Sequence, residues 1–381
     1  MTDIYEQAKD KLNNFIKNDI LTYSKNRNYD YGPKNRSNVS HLSKYITHRV
    51  INEYDVINLA LSEYSLTKIE KYVQEVFWRV YWKGWLEHRP QVWSDYYEYS
   101  NNNSNSEGYK KAIEGTTGIV CFDNWVEELV NENYLHNHTR MWFASIWIFT
   151  LNLPWQLGAN FFMRHLLDGD SASNTLSWRW VAGLQTIGKH YLATASNISK
   201  FTNNVHKPQN LNEDALPLNE NKTYDLIDIN YSTLEQSSDT LLIADNNLSL
   251  KNHEDIYSKY KHIYLLYLSN ECRNIELSEN VLNFKHSILQ DFSNKYSKSQ
   301  IINGSDLKKE MNITQNIDVI YPCIGENHSF LENNKNNCKL NYIYGQEDLF
   351  CWKYAKKGFF NFKKNIPLII DKIIKSKDFF I

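Results

Sequence analysis

Residues 136–180, HNHTRMWFASIWIFTLNLPWQLGANFFMRHLLDGDSASNTLSWRW, constrain this chain more than any other stretch. Their apolar run, MWFASIWIFTLNLPW, is broken by Pro154. It is short for a membrane span, which takes about 20 apolar residues, so a buried core helix is expected. The same segment carries Arg140, the acids Asp168 and Asp170 in a DGD turn, and Asn174 four residues later. Three well-spaced tryptophans, Trp155, Trp178 and Trp180, lie in it too.

At 381 residues the chain is long enough for two ordinary domains. It holds 11 Trp, 26 Tyr and 17 Phe, enough rings to fill a helical core. The net charge of -2 means that bulk charge does not imply nucleic acid, so any such site is a local patch. The five cysteines, Cys121, Cys272, Cys323, Cys338 and Cys351, form no CxxC pair. That argues against a zinc or iron–sulfur centre and fits reduced thiols in a cytoplasm. His136 and His138 lack a third ligand within sequence reach, so no metal is expected. The N-terminal MTDIYEQAKDKL is charged and helical in period, unlike a signal peptide.

Residues 1–205 read as helices. Leu12, Phe15, Ile16, Ile20 and Tyr23 share one face of a first helix. Ile69, Tyr72, Val73, Val76, Phe77, Val80 and Tyr81 predict a second over 66–88, and Phe122, Trp125, Val126, Leu129 and Val130 mark another. Residues 206–222 are polar, aperiodic and hold two prolines, so they read as a linker. Over 223–381, short β-rich runs at 240–245, 262–269, 281–284, 318–324 and 340–345 alternate with helical stretches. That pattern predicts a small, Rossmann-like parallel α/β domain. It has neither GxGxxG nor a Walker loop, so nucleotide binding there has weak support.

Several motifs occur in order. Tyr23-x-x-x-Arg27 precedes Val39-Ser40-His41-Leu42-Ser43, where hydroxyls opening a helix suit phosphate, although S-x-L-S is more often a simple cap. Glu75-Val76-Phe77-Trp78-Arg79 follows, with Glu75 and Arg79 spaced as i,i+4 neighbours, the spacing of an ordinary ion pair. Gly115-Thr116-Thr117-Gly118 leads to Asp123, and Asn137, Arg140 and Met141 complete H-N-x-x-R-M. This succession resembles the photolyase/cryptochrome family over about residues 5–195.

The resemblance implies an all-helical FAD-binding domain. Tyr23, Val39, Ser40, Leu42 and Ser43 would grip the cofactor's phosphates, with Val39 standing where the family often has Thr. Arg79 would face the flavin, and Arg140 and Asp168 would form a buried ion pair beside its ring. Asp170 would hold the FAD, and Asn174 would face flavin N5. Trp178 and Trp155 would be the proximal and middle members of an electron relay. The third relay Trp is replaced by Asn102, so Tyr96, Tyr97, Tyr99 or Tyr109 would be the terminal donor, or another route would operate. Glu75, Trp78, Asn137, Met141 and Trp180 would read the damaged bases. Asn137 and Met141 match the pattern for cyclobutane pyrimidine dimers, since (6-4) enzymes carry His at both places.

After Trp180 the resemblance weakens. The 223–381 region is either a permuted antenna domain, ending in the aromatic-basic segment 358–364, or an unrelated accessory fold. It names no antenna chromophore. The expected activity is light-driven splitting of cyclobutane dimers in UV-damaged DNA by a cytoplasmic, FAD-using lyase. Single strands would be preferred, since flipping costs less there, and Arg27, Lys34, Arg36, Lys44, Arg179 and Lys189 would meet phosphates. The rivals are a cryptochrome-like photoreceptor, which would photoreduce FAD without repair, and a structural protein on a decayed scaffold, which would not hold FAD.

Overall fold

The computed structural model describes residues 3–99, 106–229, 236–249 and 254–375. The first helix, Ile4–Asn18, starts where the Asp3 carboxylate accepts the Tyr5 and Glu6 amides, and it buries Ala8, Leu12, Phe15 and Ile16. Asp19, at φ -124°, breaks the single helix expected there, and Ile20–Asn26 continues in a new direction. Leu66–Glu87 is the long central helix, with every apolar residue of its predicted face buried. Asn137–Ser145 runs on into a wider π-turn, Ile146–Thr150, with Trp142, Phe143, Ile146, Trp147, Ile148 and Phe149 buried. The expected core helix is therefore present. Pro154 then opens the next helix, Trp155–His165, because proline suits a helix start and not its interior.

Residues 206–229 form no helix or strand, but they are a strap laid on the helices. The Leu218 amide donates to Ala182 O, Asn212 Nδ2 to Phe149 O, and Lys222 reaches Asp95 at 2.8 Å. Polar residues that look solvated in sequence find partners on the helical surface.

Five parallel strands follow: β1 (Thr240–Ala244), β2 (His262–Tyr267), β3 (Ser299–Asn303), β4 (Asn316–Ile320) and β5 (Lys339–Ile343). Their order is β3-β2-β1-β4-β5, and Leu242 of β1 lies opposite both Tyr264 and Val319. The parallel α/β expectation holds, with two corrections. Residues 281–284 belong to the helix Glu279–Lys295, whose buried Val281, Ile288, Leu289 and Phe292 follow helical period. A four-residue apolar run cannot separate strand from helix. Conversely, Ser299–Asn303 is a strand, and its polar composition hid it.

One apolar core passes from the helices into the sheet, joining Tyr45, Phe77 and Trp82 to Leu241, Ile243, Phe359 and Phe362. Gly84 makes part of this contact possible, since a Cβ there would meet Trp352 Cδ1 at 2.4 Å. Buried polar links cross the same boundary. Arg49 grips Asp348 with two hydrogen bonds of 2.7 and 2.8 Å. The Tyr321 hydroxyl and the Ile324 amide both donate to Glu87. The sheet is thus docked directly on the helical bundle as well as tethered by the strap.

Candidate functional site

Several residues singled out in sequence meet at Asp168, in the loop after the helix Trp155–His165. Asp168 is buried, and its Oδ2 accepts from Arg140 Nη2 at 2.9 Å. Arg79 Nη2 lies 3.9 Å from the same oxygen, while its Nη1 donates to Thr47 Oγ1 at 2.7 Å. Burial alone would raise the Asp168 carboxyl; the two guanidiniums overcome this and hold it below the ordinary carboxylate range. The other oxygen, Oδ1, is buried and has no hydrogen-bond partner. Arg140 Nε donates to Leu135 O, and its guanidinium lies 5.3 Å over the Tyr134 ring.

The phosphate-type loop comes close to this pair. His41 takes a left-handed φ of 52° and turns the chain, so that Ser43, whose hydroxyl lies near Asp168, opens the five-residue helix Ser43–Thr47. Ser40 lies beside the Tyr72 hydroxyl. Tyr23 stands edge-on to Tyr72 at 5.2 Å, and burial, then the Glu75 carboxylate, raise its phenol. Tyr134 keeps accessible surface although burial pushes its phenol up to about 12. Val39 is half-buried, whereas Leu42 is a core residue whose carbonyl accepts from Tyr45 and Ile46. The Leu42 side chain therefore packs in the core.

Asp170 caps the helix Ser171–Ala182 by accepting from the Ser173 amide at 2.8 Å. One turn on, Asn174 is buried and donates Nδ2 to Ala159 O at 2.9 Å. Another turn on, Trp178 is buried against Phe162, Trp147 and Phe143, and its indole N–H has no partner. Gly158 permits this packing, because a Cβ there would meet Trp178 Cη2 at 2.3 Å and Trp147 Cε2 at 3.0 Å. Trp155 donates its indole N–H to Glu220 of the strap and stacks on Tyr96 at 5.6 Å. Tyr96 adjoins Trp93, which adjoins Tyr97; Tyr109 instead adjoins Trp147, and Tyr99 is half-buried. Asn102 lies outside the described residues.

Among the residues expected to read bases, several have partners within the protein. Glu75 does not pair with Arg79; it lies between Arg27 at 3.6 Å and Lys71 at 3.2 Å. Trp78 has one face covered by Phe359, and Trp180 stacks on Tyr191 at 5.8 Å. Asn137 is exposed at the first turn of its helix, and Met141, one turn on, is half-buried. Of the basic residues, Arg36 is locked between Asp30 and Glu128, and Arg179 is held by Glu220. Neither is free for phosphate, against expectation. Lys44 sits over the Tyr45 and Phe284 rings, while Lys34 and Lys189 are exposed. Thr47, Tyr134 and Glu220 went unnoticed in sequence; only Tyr134, two residues before the H-N-x-x-R-M run, had a local signal.

Two cavities bear on ligands. A groove of about 650 Å³, lined among others by Asp30, Tyr31, Trp125 and His206, shares no residue with the set expected to bind cofactor or bases. At the carboxyl edge of the sheet, where parallel α/β folds bind ligands, Asp245 is buried against Lys285 at 2.7 Å and Asn327 at 2.7 Å. The His48 ring bonds to Asp245 O, and the remaining cavity, about 30 Å³, has room for roughly one water.

Part of the chain is similar to known proteins. Residues 72–215 match the FAD binding domain of DNA photolyase. Over these residues the chain is similar to the photolyase/cryptochrome family. A deoxyribodipyrimidine photo-lyase from Streptomyces griseus is 32% identical over 149 residues, 39% of this chain and 32% of that one. The Vibrio cholerae photo-lyase is 24% identical over 208 residues, 51% of this chain and 43% of its own. A bacterial class III photolyase structure from Agrobacterium tumefaciens aligns at 27% identity and a TM-score of 0.45, covering 52% of this chain and 42% of that one. The matched region thus spans well under half the length of these relatives. The photolyase match includes Glu75, Arg79, Arg140, Asp168 and Asn174; it ends at residue 215, before the sheet. Among the described residues no helix is long and apolar enough to cross a membrane.

Proposed function

We propose that this protein is a FAD-dependent DNA photolyase that splits cyclobutane pyrimidine dimers in light. The observation that carries this reading is the Arg140–Asp168 pair with its unsatisfied Asp168 Oδ1. A buried polar atom left without a partner costs about 1–3 kcal/mol, so a donor-bearing ligand edge would be stabilised there. The donor set fits FAD: guanidiniums and a carboxylate for the polar edge of the ring, Ser40 and Ser43 hydroxyls for the phosphates, Tyr23 and Asp170 around them. When bound, reduced FAD supplies the photochemistry, an electron lent to the dimer and then returned.

The chain's own residues position and poise. Asn174 gives one of its two Nδ2 hydrogens to Ala159 O, which holds its amide in place and leaves the carbonyl end able to accept. That end accepts a proton-bearing ring nitrogen without adding charge. Glu75, steadied by Arg27 and Lys71, accepts hydrogen bonds from the damaged bases. Trp178 serves as the proximal electron donor, and Trp155 with Tyr96 stacked on it continues the route outward.

A second reading, a photoreceptor that photoreduces FAD without repair, is favoured by one observation: Trp78 and Trp180 both have ring partners within the protein. Oligothymidylate carrying cyclobutane dimers separates the two. Light-dependent recovery of thymine absorbance near ~260 nm, lost in Glu75→Ala, supports repair of flipped bases. Photoreduction without recovery supports the photoreceptor.

A further inference from the structure

Residues 353–372 hold six lysines and one acid, in a chain whose net charge is -2. The segment is fixed to the helix Leu66–Glu87 by its rings. Phe359 stacks on Trp78, and Phe362 packs against Phe77 and Tyr81. Lys363 reaches Glu70 at 3.4 Å, and Lys356 pairs with Asp228 at 2.6 Å. Between these anchors the helix Phe359–Lys363 turns Phe360 outward, 81% exposed. Lys357, Lys364 and Lys372 are exposed along with it, and Leu368 is 42% exposed.

We infer that this basic, aromatic face is a binding surface for single-stranded nucleic acid. Lysines neutralise phosphates without regard to sequence, and an outward ring gives a base a face to stack on. Phe359 and Phe362 are needed for packing; Phe360 is not, yet it is kept apolar among lysines. The location argues for the same partner. Trp78 is one helical turn from Glu75, so a strand crossing Phe360 passes the site proposed to receive a dimer. With Arg36 and Arg179 held in ion pairs, the exposed Lys353, Lys357, Lys364 and Lys372 give this face a local positive charge. The inference rests on DNA being the partner in the proposed function; it does not require repair.

The test uses FAD-reconstituted full-length protein in the dark and a fluorescein-labelled undamaged oligothymidylate, read by anisotropy across salt. Lys357→Glu/Lys364→Glu is expected to weaken binding about tenfold or more and to flatten the salt slope by about 1.4, as for two lost phosphate contacts on a single strand. Phe360→Ala is expected to weaken binding about fivefold or more with the salt slope kept, as for a lost stacking partner. Flavin content and circular dichroism should match the parent, showing that the variants fold. Parental affinity in both variants, or no binding by the parent, overturns the inference. Binding to phosphatidylserine vesicles in place of the oligonucleotide also overturns it and assigns the face to a membrane surface. Because the strand is undamaged and unlit, a failure of the photolyase reading would leave this result legible.

Discussion

Trp78 and Phe359 lie face to face, with ring centroids 3.6 Å apart and planes 12° from parallel. The contact joins the central helix to a segment near the end of the chain, and Phe359 is buried within the shared core. It also takes one face of a ring that the family resemblance assigns to a damaged base.

Removing Phe359 should therefore cost stability before it affects function. Phe359→Ala is expected to destabilise the fold by about 3–5 kcal/mol, the usual range for a buried phenylalanine. Urea unfolding followed by fluorescence measures it. Trp78→Phe, by contrast, should leave dimer repair within about threefold, because the remaining ring still packs on Phe359 and a change this size is under 1 kcal/mol. A loss of repair by orders of magnitude with intact stability would mean that Trp78 does stack on the lesion.

Glu87 gives the docked sheet a pH dependence. Its carboxyl is buried and accepts from Tyr321 and Ile324, and burial pushes it up to about 7. The folded state thus holds a proton that the unfolded chain releases near pH 4.5. Its stabilising contribution is complete below that pH and is lost as pH rises to about 7. The loss amounts to roughly 3 kcal/mol at most. Glu87→Gln should flatten this decline, as read from urea midpoints at pH 5 and pH 8. An unchanged decline in the variant would place its origin elsewhere.

Gly158 sits where Trp178 and Trp147 both press on its backbone. Gly158→Ala puts a methyl group 2.3 Å from Trp178 Cη2, so the indole must move. Overpacking of this kind costs about 1–3 kcal/mol. In the FAD-loaded protein it should also slow blue-light photoreduction, since Trp178 is the proposed proximal donor. Photoreduction at the parental rate with a parental melting temperature would show that the site yields without moving Trp178.

Where the sequence was legible, the signal was local. Arg140 and Asp168 pair as their motifs implied, and Asp170 caps the helix that carries Asn174 and Trp178. The helical face at 66–88, that at 122–129 and the parallel sheet were read from period and run length, while Val130 lies exposed. What escaped was decided by distant partners. Glu220 looked like linker, yet it holds both Trp155 and Arg179. Arg36 looked like a phosphate contact, but Asp30 and Glu128 claim it. Nothing near Trp78 announced Phe359, because tertiary packing chose that pair.

The most direct test is retention of flavin by the Arg140–Asp168 site. The account predicts that the purified protein, reconstituted with FAD and passed through a desalting column, keeps about one flavin per chain. It predicts that Asp168→Asn loses most of it, because removing one partner of a buried ion pair leaves the other uncompensated. A folded parent protein that retains no flavin, or an Asp168→Asn variant that retains as much as the parent, would contradict it.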